Sequence, residues 1–212
     1  MSDLLSRLNP TEAIDDGAVL LRGFCADAVD MLVRDIEAIE RRAPFRAMSV
    51  PGGGTMSAAM TNCGPFGWIA DARGYRYSGI DPTTDEPWPA IPERFVVLAR
   101  RAALAAGYDA FAPDACLINR YGTGARMGLH QDKDERDFAQ PIVSVSLGLP
   151  ATFLWGGLKR TEATKRIELT NGDVVVWGGA TRRAYHGVAP IKAGTDPLTG
   201  AVRYNLTFRK AL

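Results

Sequence analysis

Residues 203–209 read Arg203-Tyr204-Asn205-Leu206-Thr207-Phe208-Arg209, and polar and apolar side chains alternate along the whole run. Successive side chains of a β-strand point to opposite faces, so this alternation predicts a strand with one apolar face. The other face carries two arginines, an asparagine and a threonine. Such a strand is either a sheet edge that faces water or the wall of a site that binds an anion, which arginine grips with two parallel hydrogen bonds.

Working outward from this strand, the C-terminal half is a series of short β-type runs. Turn signals such as Asn171-Gly172 separate them. Seven runs cover residues 115–121, 142–149, 152–155, 166–169, 173–177, 183–188 and 202–208, and one more, residues 18–21, precedes the first helix. About eight strands after an N-terminal helical part predict a mainly β fold with flanking helices (α+β), built as a β-sandwich or jelly roll.

Two helices are predicted before the strands. The first extends from Asp27 to Arg42, with five apolar residues at helical spacing. The second follows Pro92 and ends at Gly107, because proline suits a helix start and glycine a helix end. Residues 44–90 are rich in glycine, proline and aromatic residues, which predicts hairpins and loops. We therefore divide a single domain, residues 1–212, into a supporting part (1–43), this lobe (44–90) and a β-rich core (91–212).

Composition excludes several classes of protein. The 212 residues are 46% hydrophobic and 23% charged, as in a globular domain, and no apolar run approaches the ~18 residues of a membrane helix. The first seven residues lack the pattern of a secretory signal. Three scattered cysteines predict a reducing, cytoplasmic location. Residues 119–212 carry 14 basic against 8 acidic side chains, so this half is suited to a small acid or to a phosphate backbone.

The sequence contains only two histidines, His130 and His186, and both lie in the β-rich part. Asp132 is two residues from His130, so on a strand both point to the same side. Two histidines and one carboxylate form the facial triad of non-haem Fe(II) oxygenases, which leaves three metal positions open. An isolated His-x-Asp is more often a surface accident, and a single histidine such as His186 is more often a core residue. The arginine strand and a polar pair on another strand, Asn119 and Tyr121, favour a metal site beside a dicarboxylic acid.

Taken together, these segments resemble the AlkB family of Fe(II)- and 2-oxoglutarate-dependent nucleic acid dealkylases. The resemblance covers nearly the whole chain. It is densest in residues 56–68, 113–121, 129–135 (Leu129-His130-Gln131-Asp132-Lys133-Asp134-Glu135), 141–150, 172–179 (Gly172-Asp173-Val174-Val175-Val176-Trp177-Gly178-Gly179) and 203–209. Matched runs of this length are far more specific than three ligand positions alone.

The resemblance implies a double-stranded β-helix (jelly roll) with a nucleotide-recognition lid at residues 44–90. It implies Fe(II) bound by His130, Asp132 and His186, which are then also the catalytic residues. It further implies 2-oxoglutarate and O2 as co-substrates. Arg203 matches the residue that binds the distal carboxylate of 2-oxoglutarate, and Arg209 the partner of the carboxylate next to iron. Asn119, Tyr121 and Asn205 match residues beside the distal carboxylate.

The expected substrate is an N-alkylated base, such as 1-methyladenine or 3-methylcytosine, in DNA. Its demethylation would release formaldehyde, succinate and CO2. Trp68 matches the aromatic that stacks on the flipped base, with His130 on the other face, and Asp134 matches the base-edge acceptor. Further matched positions are lid residues at the nucleotide backbone (Tyr75, Arg76 and Tyr77) and surface residues (Lys133 and Arg160). Gly54 departs from the family, which has an aromatic there, and this affects the grip of the lid.

Two other interpretations remain open at this point. The chain could be a dioxygenase of the same fold that acts on a small molecule or a protein side chain, or a jelly-roll binding module without catalysis. The sequence also leaves open the choice between DNA and RNA and between single and double strands. We expect a monomer that has no membrane partner.

Overall fold

The computed structural model describes residues 11–50 and 53–212, so residues 1–10, Pro51 and Gly52 lie outside it, including the N-terminal stretch considered for a signal. Its strands are β1 (Thr11–Asp15), β2 (Ala18–Leu21), β3 (Arg46–Val50), β4 (Gly54–Cys63), β5 (Gly67–Asp71), β6 (Gly74–Ser78), β7 (Ile80–Asp81), β8 (Glu86–Pro87), β9 (Ala115–Tyr121), β10 (Met127–His130), β11 (Ile142–Gly148), β12 (Ala151–Trp155), β13 (Lys165–Leu169), β14 (Val174–Trp177), β15 (His186–Val188) and β16 (Arg203–Arg209). The helices are α1 (Val29–Glu40) and α2 (Glu93–Ala105).

Two antiparallel sheets form the body of the protein. The larger has the order β1-β2-β14-β11-β16-β9-β4-β3, and the smaller has the order β10-β15-β12-β13. Apolar side chains from both sheets, among them Leu117, Phe153 and Trp177, form one buried cluster between them. This arrangement confirms the predicted jelly roll. Two hairpins, β5–β6 and β7–β8, lie outside these sheets.

The helices cover the other face of the large sheet. Phe95 of α2 meets Phe208 of β16 edge to face, with ring centroids 6.0 Å apart. The apolar positions predicted for α1 are all buried, although the α-helix begins at Val29 because residues 26–28 form a 3-10 turn. Within the described ranges, no helix is both long enough and apolar enough to span a membrane.

The strand with alternating polar and apolar residues, β16, lies in the interior of the large sheet. β16 pairs with β11 on one side and with β9 on the other. The water-facing alternative is therefore wrong. Its polar side chains are all buried and face the space between the sheets: Arg203, Asn205, Thr207 and Arg209.

The region 44–90 differs from the expected set of hairpins and loops. β4 is ten residues long and extends the large sheet next to β9, where Met60 pairs with Asn119. From Ala58 onward most of its side chains are buried. Gly53 lies in the turn before this strand and Gly54 begins it. A strand that is covered on both faces loses the alternation that would reveal it. Only β5–β8 stand apart from the large sheet.

Candidate active site

His130 and His186 come from the small sheet, where they lie directly opposite each other on β10 and β15. Gly187 permits this close pairing, because a Cβ there would lie 2.7 Å from the carbonyl oxygen of Met127. Asp132 follows two residues after His130. The nitrogen and oxygen atoms that these three side chains offer all lie within 4.8 Å of one another. The structure thus brings the three predicted ligands together.

Backbone hydrogen bonds orient both imidazole rings. Nδ1 of His130 donates to the carbonyl of Gly128 at 2.9 Å, and Nδ1 of His186 donates to that of Ala184 at 3.0 Å. A carbonyl only accepts, so Nδ1 carries the proton and the lone pair of each Nε2 stays free. These Nε2 atoms lie 3.7 and 3.9 Å from the carboxylate oxygens of Asp132. Both rings therefore direct a metal-binding lone pair toward the same carboxylate.

The protonation states also suit a divalent metal. Burial, reinforced by His130, lowers the pKa of His186 to about 4, so this ring is neutral at neutral pH. Burial alone would raise the pKa of Asp132, but the charge of Arg209 outweighs it and holds that pKa below its usual range. A neutral His186, an ionised Asp132 and a second imidazole match the donor set of the 2-His-1-carboxylate Fe(II) site. The residues present therefore fit Fe(II).

A cavity of about 410 Å³ opens onto this centre, and Arg203 lies in its wall. Arg203 is 1% exposed, and its Nη2 donates to Ser146 Oγ at 3.0 Å. Its Nε and Nη1 are buried without a hydrogen-bond partner among the described residues. Burial lowers the pKa of this guanidinium, since it is costly to desolvate a charge whose donors are unused. A carboxylate would satisfy both donors, so the site fits one end of 2-oxoglutarate.

The predicted neighbours of Arg203 surround it. Tyr121 is its register partner on β9, with the ring centroid 5.1 Å from the guanidinium carbon. Asn119 lies two residues away and leaves Oδ1 buried and unpaired within the described chain. Asn205 has both amide donors engaged, with Ser144 Oγ at 2.8 Å and a backbone carbonyl at 3.0 Å. Asn205 therefore fixes the wall of the cavity.

Arg209 contacts the metal ligand itself. Its Nε and Nη2 donate to Oδ2 of Asp132 at 3.1 and 2.9 Å, so Oδ1 faces His130. Behind Arg209 lies Glu135, which also binds Arg182 Nη2 at 3.1 Å and accepts the hydroxyl of Tyr77 at 2.6 Å. We call these five residues the Glu135 network. It joins strand β6 to the candidate metal centre.

The mouth of the cavity holds most of the predicted substrate residues. Trp68 is stacked on Tyr75, with centroids 5.4 Å apart and an interplanar angle of 11°. Its indole Nε1 donates to Asp134 Oδ2 at 2.8 Å. Lys133 and Arg160 also line the cavity.

Two of the predicted substrate residues lie elsewhere. Arg76 forms a double salt bridge with Asp71 at 2.8 and 2.7 Å inside the β5–β6 hairpin. Tyr77 is held by Glu135. Neither lines the cavity. Arg182 and the supporting Ser146 were not predicted as site residues. Only the serine has a signal in the sequence, since Ser144 and Ser146 alternate with apolar residues along β11.

Comparisons with known proteins agree with this geometry. The sequence profile of the 2OG-Fe(II) oxygenase superfamily matches residues 17–209. The chain is 58% identical over 212 residues to the alpha-ketoglutarate-dependent dioxygenase AlkB of Escherichia coli, covering 100% of this chain and 98% of the relative. It is 32% identical over 129 residues to the mouse nucleic acid dioxygenase ALKBH1, covering 61% of this chain and 33% of that protein.

A solved structure provides an independent comparison. The structure of OsALKBH1 superposes with a TM-score of 0.83 at 31% identity, and covers 95% of this chain and 100% of that one. Profile, sequence and structure therefore agree, and they confirm both the resemblance and the fold. The chain belongs to the AlkB family of 2OG-Fe(II) oxygenases, dioxygenases that use Fe(II), 2-oxoglutarate and O2.

Proposed function

We propose that this dioxygenase removes alkyl groups from the ring nitrogens of nucleic-acid bases, with 1-methyladenine and 3-methylcytosine in DNA as substrates. One observation carries the proposal. A stacked aromatic pair, Trp68 on Tyr75, stands with the carboxylate of Asp134 at the mouth of the cavity that leads to the candidate metal centre. An aromatic face beside a carboxylate suits a flat, positively charged base. The name of the mouse relative, a nucleic acid dioxygenase, supports the same substrate class.

In the proposed enzyme, His130, Asp132 and His186 hold Fe(II), and Arg203 holds the distal carboxylate of 2-oxoglutarate. When bound, Fe(II) supplies oxidation of an otherwise inert C–H bond at the cost of O2 and of 2-oxoglutarate, which leaves as succinate and CO2. Hydroxylation of an N-methyl carbon yields an N-hydroxymethyl group. This group leaves as formaldehyde and restores the base.

The protein's own residues select and present the base. A methyl group on the pairing edge weakens base pairing, so a damaged base leaves the helix at a lower cost than an intact one. Methylation at that position also makes the base cationic, which strengthens its stacking on Trp68 and its attraction to Asp134. His130 closes the other face of the base, next to the metal. Lys133 and Arg160 at the rim attract the phosphate backbone.

The test is a coupled assay with single-stranded oligonucleotides that contain 1-methyladenine or 3-methylcytosine. With Fe(II), 2-oxoglutarate and O2, we expect formaldehyde and succinate in equal amounts. The controls are the unmethylated oligonucleotide and Asp132→Ala, which lacks a metal ligand. If formaldehyde from the methylated strand does not exceed that from the unmethylated one, the proposal is wrong. Succinate release with a small molecule instead would favour the alternative substrate class.

The proposal includes the arrangement of the chain as a single domain that acts as a monomer in the cytoplasm. Within the predicted lid, residues 44–90, the hairpins β5–β6 and β7–β8 would cover the bound nucleotide, since β4 belongs to the large sheet. The Trp68–Tyr75 pair at the cavity mouth supports the lid assignment. Buried, unpaired thiols at Cys25, Cys63 and Cys116 support a reducing location. A molecular mass from light scattering of about twice 22.9 kDa would contradict the monomer.

A further inference from the structure

An exposed aromatic side chain lies outside the cavity, under two guanidinium groups. Phe138 is 38% exposed, in the loop between β10 and β11. The guanidinium carbons of Arg182 and Arg183 lie 5.4 and 5.6 Å from its ring centroid, within the range of a cation–π contact. Arg182 is buried, whereas Arg183 is exposed. Both the phenyl ring and the guanidinium of Arg183 are thus partly accessible to solvent.

The fold does not require the phenyl ring to hold Arg182. That guanidinium is already fixed by the carbonyls of Gln140 and Asp132, at 2.8 and 3.0 Å, and by Glu135 at 3.1 Å. The loop itself is held by a local turn, in which Asp137 Oδ1 accepts the backbone N–H of Ala139 at 2.9 Å. The ring is presented to solvent by a backbone that is stable without it.

The Phe138–Arg183 pair adjoins the mouth of the cavity. Gln131 lines the cavity, and its Nε2 donates to the carbonyl of Arg183 at 2.6 Å. Tyr185, two residues further along the chain, also lines the cavity. Lys133, at the rim, is exposed as well. If one unit of a polymer enters the cavity, the adjacent unit therefore lies beside an exposed aromatic ring, Phe138, and the positive charges of Arg183 and Lys133.

We propose that Phe138 and Arg183 bind the single strand next to the flipped nucleotide, with a neighbouring base stacked on the phenyl ring and a phosphate on the guanidinium. This inference rests on the proposed function. Single-strand binding sites combine aromatic faces, which stack on any base, with cations that track the backbone. The pair supplies both. The inference predicts that the enzyme binds the nucleotides adjacent to the damaged base as well as the damaged base itself.

The test compares binding of a long and a short substrate, measured by fluorescence anisotropy with Mn²⁺ and 2-oxoglutarate present and O2 excluded. The long substrate is a methylated single strand of about 12 nucleotides, and the short one is the methylated mononucleotide, which has no neighbouring base. Phe138→Leu keeps an apolar cover over Arg182 but removes the π-face, so the Kd of the long strand rises about five- to tenfold. The Kd of the mononucleotide stays within about twofold. Phe138→Tyr keeps the face and restores long-strand binding.

Arg183→Gln tests the cationic half of the pair. It raises the Kd of the long strand and lowers the slope of log Kd against log salt by about 0.7, the value for one phosphate contact on a single strand. Equal losses on long and short substrates would show a structural role and overturn the inference, as would unchanged binding of both. If the proposed function itself is wrong, the wild-type protein releases no formaldehyde from the methylated strand. If only this inference is wrong, the wild type is active, but the Phe138 and Arg183 variants do not weaken binding of the long strand more than binding of the short substrate.

Discussion

Arg203 carries a positive charge into the protein interior with two of its nitrogens unpaired among the described residues. Buried donors without acceptors are costly, and a bound carboxylate would supply the acceptors that these nitrogens lack. Unsatisfied polar groups of this kind indicate the chemistry of a ligand. Here they indicate a carboxylate, in a cavity that His130, Asp132 and His186 also line.

Replacing Arg203 should therefore weaken 2-oxoglutarate more than it impairs metal binding. We expect Arg203→Ala to raise the Kd for 2-oxoglutarate roughly 100-fold, the loss of two charge-assisted hydrogen bonds. Calorimetry on the Mn²⁺-loaded protein measures it. Arg203→Lys is the matched control, which keeps the charge without the planar fork and recovers only part of the affinity. An unchanged Kd in Arg203→Ala would remove this residue from the site.

His186 gives a prediction for pH. Its folded-state pKa of about 4 lies below the usual histidine pKa of 6.5, so below pH 6.5 the unfolded chain binds a proton that the folded protein does not. The metal-free protein should therefore lose stability as the pH falls from 7.5 to 5, by about 2 kcal/mol from this group. Urea unfolding in the presence of a chelator measures the change. His186→Gln should lack this contribution; an equal loss in the variant would contradict the assignment.

At the scale of single residues, the sequence predicts the metal-ligating side chains better than the side chains that hydrogen-bond around them. His130, Asp132 and His186 could be found because the chain has two histidines and a His-x-Asp spacing. The hydrogen bonds from Arg209 to Asp132 and from Arg182 to Glu135 could not be predicted, because they join residues that are 77 and 47 positions apart in the sequence. Those contacts form only when β16 and the turn before β15 pack against the loop after β10.

Among the elements, the β5–β6 hairpin is linked to the loop beside the metal centre by two side-chain hydrogen bonds, from Trp68 to Asp134 and from Tyr77 to Glu135. The hydroxyl of Tyr77 on β6 donates to Glu135, which in turn holds the arginine that binds Asp132. Burial raises the pKa of Tyr77, so the hydroxyl keeps its proton and remains a donor. A displacement of the hairpin would therefore reach the metal ligand Asp132 through three successive contacts, which join Tyr77 to Glu135, Glu135 to Arg209 and Arg209 to Asp132.

Tyr77→Phe removes only that hydroxyl. We expect it to lower the free energy of unfolding by about 1 kcal/mol and to speed amide exchange in β5–β6. Denaturant titration and hydrogen exchange measure these two effects. Tyr75→Phe is the matched control on the same strand, since the stacked Tyr75 is exposed and should change neither. If both substitutions behave alike, the hairpin is not held by this bond.

The elements themselves were partly predictable. β9 was predicted with its observed ends, and both helices were found, because their apolar residues repeat with a clear period. β10 was missed: its four residues include a glycine and give no alternation. β4 was missed because pairing on both sides and cover on both faces replace the periodic pattern by small, mixed residues.

At the scale of the whole molecule, the two faces of the large sheet have different roles. Its helix-covered face is apolar and carries the main core, whereas its inner face carries the cofactor arginines toward the small sheet. The metal ligands lie on the small sheet and in the loop after β10, and the large sheet adds Arg203 and Arg209. The complete site therefore forms only when both sheets pack together. Ligands that bind this centre should stabilise the entire fold, because binding to the folded state alone shifts the unfolding equilibrium.

We expect Mn²⁺ and 2-oxoglutarate together to raise the melting temperature, with a gain of about 2.7 kcal/mol at a ligand concentration of 100 Kd. His130→Ala should lose the gain from both ligands. Calorimetric melting curves with each ligand added in turn measure it. A variant outside the site, Leu104→Ala on the exposed face of α2, is the control and should keep the full gain. Full stabilisation of His130→Ala would contradict the metal assignment.

The most direct test of the central claim is anomalous diffraction from crystals grown anaerobically with Mn²⁺ and 2-oxoglutarate. The predicted result is one metal peak bound by Nε2 of His130, Nε2 of His186 and Oδ1 of Asp132, with the distal carboxylate of 2-oxoglutarate on Arg203. A metal peak elsewhere, or 2-oxoglutarate bound away from Arg203, would contradict it.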